Sequence, residues 1–224
     1  RHRMRGLEFR RVLFRSKMAL GYVGRATDTR SDGSSTTIVS GSRTWASGSL
    51  IVVAVGWGSA TTVTGVSGGG NTFQSSAGLK SGELQLWYCE NITGGTFSIT
   101  ATFSASTQYR WIGTAEFSGV SLSSSLDKYS TGSGESTSQN TGTAQTLSQN
   151  NEVIIGAFWE WDLVTFTEGT WTQLTTDGTD YGLFYKIVSD TGPYQVAVTA
   201  NLPKQYVSEM GTFKEATGAS GNPW

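Results

Sequence analysis

Chemistry-bearing side chains concentrate in four consecutive residues, Trp159-Glu160-Trp161-Asp162. On an extended strand alternate side chains point to opposite faces, so the two indoles share one face and the two carboxyl groups the other. Indole rings one strand repeat apart, next to carboxylates that accept hydroxyl hydrogen bonds, suit the stacking of a glycan. The same parity also continues from Val153, Ile155 and Ala157, and large aromatics in β proteins mostly pack, so a place at one end of a core is the favoured reading. Glu116, Glu160 and Asp162 could alternatively form a carboxyl pair. Glycosidases need such groups about 5–5.5 Å apart for retention or about 6.5–9.5 Å for inversion, a separation that spacing along the chain does not fix. The residue at the place of Glu160 in an earlier, related segment is Trp57, which joins Trp159, Trp161, Glu160 and Asp162 as a candidate ligand-binding residue.

Other chemistries are easier to exclude. His2 is the only histidine, so a Ser-His-Asp or Cys-His mechanism has no general base in the rest of the chain. Cys89 is the only cysteine, which removes intrachain disulfides and thiolate–imidazole zinc sites. It has no cationic neighbour in sequence to activate it. Asp177 and Asp180, with Asp28 and Asp32, offer hard oxygen ligands in turns, but turns favour Asp and Gly for backbone reasons, so these are weak metal candidates and no cofactor is expected. Asn91-Ile92-Thr93 satisfies the glycosylation sequon at a point where a turn favours Asn in any case.

Residues 1–16 differ from all that follows, with six arginines against a Ser/Thr/Gly-rich remainder. The run LEFRRVLFRS at 7–16 resembles the translation of a short-read sequencing adapter, so 1–17 is set apart as non-native. Without residues 1–16, Lys+Arg falls from 16 to 10 and Asp+Glu from 17 to 16, and the net charge moves from -1 to -6. A mildly acidic domain without a basic cluster argues against a nucleic-acid partner. No apolar run has the length of a membrane-spanning helix. Twenty-nine glycines, three prolines and 12% aromatic residues are the profile of a β-rich chain with many turns.

Period-2 alternation between turn clusters recurs throughout, and no 3.6-residue period is sustained, so the elements that must position these residues are strands. The expected strands are 19–27, 35–40, 49–57, 61–66, 83–90, 96–104, 108–118, 152–161, 163–167, 180–188, 193–200 and 205–214. Ser121 to Gln149, rich in Ser, Thr, Gly and Gln, reads as a surface excursion with one or two weak edge strands. An internal repeat organises the rest. Residues 86–109 align without a gap with 183–206 at an offset of 97, pairing Tyr109 with Tyr206, and 49–58 align with 152–161 at an offset of 103. Apolar positions alternate identically in both copies: Phe97, Ile99, Ala101 and Phe103 match Tyr194, Val196, Val198 and Ala200. In this repeat Gly56 and Gly58 stand where the second copy has Trp159 and Trp161. The expected fold is all-β, a two-sheet antiparallel, jelly-roll-like sandwich at 18–216 built from halves at about 49–120 and 152–215, with a tail at 217–224.

From about Leu20 to Lys214 the chain resembles jelly-roll or immunoglobulin-like β-sandwich modules of bacterial secreted or surface proteins and of phage structural proteins. The segments that carry the resemblance are GSLIVVAVGW (48–57), GNTF (70–73), LQLWYCEN (84–91), FSITATFS (97–104), AEFSGV (115–120), NEVIIGAF (151–158) and GTFKEA (211–216). The resemblance implies a sandwich fold and a location outside the cytoplasm, at a cell surface or on a virion, and supplies no catalytic residues. The expectation is a non-enzymatic module that binds a polysaccharide or cell-surface glycan, or that assembles with itself or neighbouring domains. The alternative is a glycoside hydrolase using paired carboxyls.

Overall fold

A computed structural model describes residues 18–58, 61–76, 83–176 and 179–217. The adapter-like segment 1–17 and all but the first residue of the 217–224 tail lie outside them. The first half contains β1 (Gly21–Gly24), β2 (Thr29–Ser31), β3 (Ser35–Val39), β4 (Arg43–Trp45), β5 (Leu50–Gly56) and β6 (Val63–Gly68). It continues with β7 (Asn71–Thr72), β8 (Gln74–Ser75), β9 (Leu84–Cys89), β10 (Gly95–Phe97), β11 (Thr100–Thr107) and β12 (Arg110–Ser118). The second half has β13 (Leu126–Asn140), β14 (Gln145–Thr146), β15 (Glu152–Val164) and β16 (Phe166–Thr167). It ends with β17 (Thr172–Gln173), β18 (Thr179–Val188), β19 (Pro193–Tyr194) and β20 (Ala197–Lys214).

The all-β antiparallel sandwich is the fold the chain adopts, and it is deeper than two facing sheets. One central sheet runs β1-β12-β5-β9-β8 and the other β13-β20-β15-β18-β17. They face each other through Leu50, Val52, Ala54, Leu86 and Phe117 on one side and Val153, Ile155, Ala157, Leu183 and Phe213 on the other. The opposite face of the first sheet, with Ile51, Val53 and Val55, is covered by Ile38, Val66, Ile99 and Phe103 of the outer sheet β3-β11-β6-β7. In the second half Ile154 and Phe158 are covered by Phe166, Val196, Val198 and Ala200. β5 is therefore buried at every residue. A strand enclosed on both faces reads as a continuous apolar run, which SLIVVAVGW and EVIIGAFW both are.

The two halves are related by an approximate twofold. Tyr88 packs edge-on against Phe213 at 5.3 Å and 64°, and the equivalent pair, Tyr185 and Phe117, at 5.5 Å and 63°. The repeat extends to polar detail: the Ser40 hydroxyl accepts from the Ile99 amide, and the Thr141 hydroxyl accepts from the Val196 amide. The offset of 97 does not run through to Tyr206. Trp111 pairs with Gly56 and Val207 with Trp159, so Trp111 is the counterpart of Val207 and the offset there is 96. The extra residue of the first copy is Tyr109, at a turn with φ 50°, whereas the second copy runs on as the single long strand β20.

The segment 121–149 holds two edge strands, β13 and β14, as the sequence reading allows, but β13 is not weak. It is fifteen residues long and paired with β20 along most of its length. Its Ser/Thr/Gly composition carries little apolar alternation, but β20 offers an extended edge and the main-chain ladder needs no particular side chain.

Candidate functional site

The carboxyl-terminal part of β15 projects to one end of the sandwich, where it meets the β11–β12 turn, the end of β5 and the edge strand β2. Between them lies a cleft of about 420 Å³ lined by Arg30, Gly58, Tyr109, Trp159, Glu160, Trp161, Asp162, Leu163 and Asp180. Four of the five candidate ligand-binding residues thus come together. Trp57 does not join them: it is fully buried on the far face of the first central sheet, against Phe103.

The two indoles of β15 part company. Trp159 is only 2% exposed and belongs to the core between the central sheets. A Cβ on Gly56 would stand 2.5 Å from the Trp159 ring, so the glycine of one copy makes the space that the tryptophan of the other fills. Trp161, beyond the end of that core, is 51% exposed. Gly58 plays the matching part on the opposite wall, since a Cβ there would lie 2.9 Å from Tyr109 Cδ2. Tyr109, 49% exposed, holds the left-handed backbone that a bulky residue adopts only when its surroundings fix it. Tyr109 and Trp161 are the aromatic rim of the cleft, with the exposed Leu163 beside them.

The polar floor joins residues distant in sequence. Arg30 donates from Nε and Nη2 to the two carboxyl oxygens of Asp180, both at 2.7 Å, and from Nη1 to Asp32. This two-pronged geometry is the strong form of the arginine–carboxylate pair. Asp180 is therefore held by an arginine rather than gathered with Asp28 or Asp32 around a cation, and Asp28 is itself paired with Arg25 at 2.8 Å. Among the described residues no cluster of three His, Cys, Asp or Glu side chains offers a metal site. Asp177 lies outside the described residues. At the rim Lys204 donates to Asp162 at 2.6 Å.

Glu160 follows Trp159 in β15 and points to the opposite face. It is 1% exposed, and its carboxyl lies beside the Gln139 side chain without forming a well-aligned hydrogen bond. Burial pushes its pKa up to about 8, the neighbouring Asp180 adds to the rise, and the Gln139 side chain acts against it. Removal of a carboxylate from water favours its neutral form, so at neutral pH Glu160 is mostly protonated. Glu116, the other carboxyl considered for a pair, is fully buried in the first half, where Arg43 Nη2 at 3.1 Å and the Ala46 amide at 2.7 Å hold it. The two glutamates do not face each other. Cys89 is buried, its thiol pKa raised chiefly by burial, and Asn91 sits exposed at a turn with φ 53°.

Two components of this site, Tyr109 and Arg30, were not singled out by sequence reasoning. The gapless repeat alignment hid Tyr109 by pairing it with Tyr206, and only the strand ladders set it apart. Arg30 bears no local mark. Comparison with protein-family models, with curated proteins and with solved structures finds no match to the chain.

Proposed function

We propose that this chain is a non-enzymatic β-sandwich module of a secreted, cell-surface or virion protein, and that it binds a glycan in the cleft at the end of the sandwich. The observation that carries the reading is the pair of half-exposed aromatic rings, Tyr109 and Trp161, on the rim of a cleft with a polar floor. Sugar rings present apolar C–H faces to aromatic rings and hydroxyls to carboxylates and guanidinium groups, which is the combination found here. The cleft volume lies within the range of small-molecule sites. The left-handed Tyr109 turn supports the reading too, because such backbone persists where a function or tight packing demands it.

A glycan array probed with the full chain tests the proposal. Binding is expected, and Trp161→Ala and Tyr109→Ala should each weaken it about tenfold without change in unfolding, since both side chains project into solvent. Array binding that survives both substitutions would sink this site.

A second reading has one observation in its favour. Glu160 and Asp180 lie just beyond the Trp159–Tyr181 pair of the β15–β18 ladder, where its register shifts before Val164–Thr179, and Glu160 is a carboxyl with a raised pKa, which suits a general acid beside a carboxylate. The enclosure of both Glu160 oxygens counts against it, since a general acid must reach its substrate. Hydrolysis of an array-positive glycan, abolished in Glu160→Gln with binding kept, would establish the enzyme in place of the binding module.

A further inference from the structure

We infer that the sugar taken by this cleft carries a free, protonated amine. The inference rests on the glycan-binding reading and narrows its ligand class. Three aspartates, Asp32, Asp162 and Asp180, stand at the cleft or beside it against two cations, Arg30 and Lys204. Neither cation is free. Arg30 directs Nε and Nη2 to Asp180 and Nη1 to Asp32, and Lys204 is committed to Asp162 at 2.6 Å. A uronic or sialic acid would therefore meet cations whose charge is already matched by carboxylates, with only their remaining N–H donors to offer. Asp32 and Asp162 are exposed and keep accessible carboxylate edges. The two rim aromatics add an independent attraction, because the faces of Trp and Tyr draw a cation within about 6 Å.

The test is calorimetric titration of the full chain at mildly acidic pH with three oligosaccharides of equal length: β-linked glucosamine, its N-acetylated form and galacturonate. The glucosamine oligomer should bind about tenfold tighter than the acetylated one, and the ratio should shrink as salt is raised. Asp162→Asn should reduce the ratio, and Lys204→Gln, which frees Asp162, should enlarge it. Both residues lie on the surface, so the fold tolerates either change. Equal or tighter binding of the acetylated oligomer overturns the amine and leaves the glycan reading standing. Preference for galacturonate overturns it as well. Absence of binding by any of the three, with an array that is also blank, removes both.

Discussion

Glu160→Gln replaces a buried neutral carboxyl by an amide of the same shape, and its effect on stability should depend strongly on pH. The glutamate has an ordinary value of 4.5 and is raised to about 8 in the folded chain. A raised carboxyl pKa means that the folded state binds the proton more tightly than the unfolded state. The stabilisation is fully present below 4.5 and is lost as pH rises through 8. At about 1.4 kcal/mol per pH unit, that interval corresponds to about 5 kcal/mol. Gln cannot ionise, so wild type and variant should agree within about 1 kcal/mol near pH 4.5 and diverge above it, the variant becoming the more stable. With a urea dependence of about 2.5 kcal/mol per molar for a domain of this size, the full difference amounts to a midpoint shift of about 2 M. Urea unfolding followed by tryptophan fluorescence across this pH range measures it. Glu152 and Asp28, raised by burial to about 7 and about 6, shift stability in the same direction but are common to both proteins, so the difference isolates Glu160. Parallel pH profiles would refute the reasoning. A variant less stable at every pH would do so too, by showing that the native carboxyl is charged and well bonded.

Three further substitutions probe the packing beneath the cleft. Trp159→Ala should cost about 3–5 kcal/mol in chemical unfolding, because the indole is enclosed between the sheets and the space left beside Gly56 cannot collapse fully. Gly56→Val should cost about 3 kcal/mol by the same measurement, since even its Cβ would meet the Trp159 ring at 2.5 Å; a neutral outcome would mean that the ring does not occupy that space. Arg43→Ala leaves Glu116 buried beside one amide donor and should cost about 3 kcal/mol, most of it recovered when Glu116→Gln is added. Strict additivity of those two changes would show that the ion pair does not couple them.

The candidate site was partly legible in the sequence. Trp159 to Asp162 stood out because the repeat placed glycines opposite the two tryptophans, and the continuing parity of Val153, Ile155 and Ala157 already suggested that Trp159 packs. Parity alone could not separate Trp159 from Trp161, since both indoles share one face of β15. What separates them is where the opposing sheet ends: Gly56 still lies across from Trp159, while Trp161 extends beyond it. Tyr109 looked like the counterpart of Tyr206 until the strand ladders showed it to be an additional residue at a turn.

The strongly apolar strands, their side-chain parity and the internal repeat were determined by the sequence itself, because alternation and turn chemistry are local properties of a few neighbouring residues. Depth of layering, the long β13 pairing and the contents of the cleft were decided only in three dimensions. β13 owes its length to β20, not to its own composition. The Arg30–Asp180 pair spans 150 positions, and the Gly56–Trp159 fit depends on two sheets meeting face to face. Contacts of this kind follow from how strands stack, and no window along the chain contains both partners.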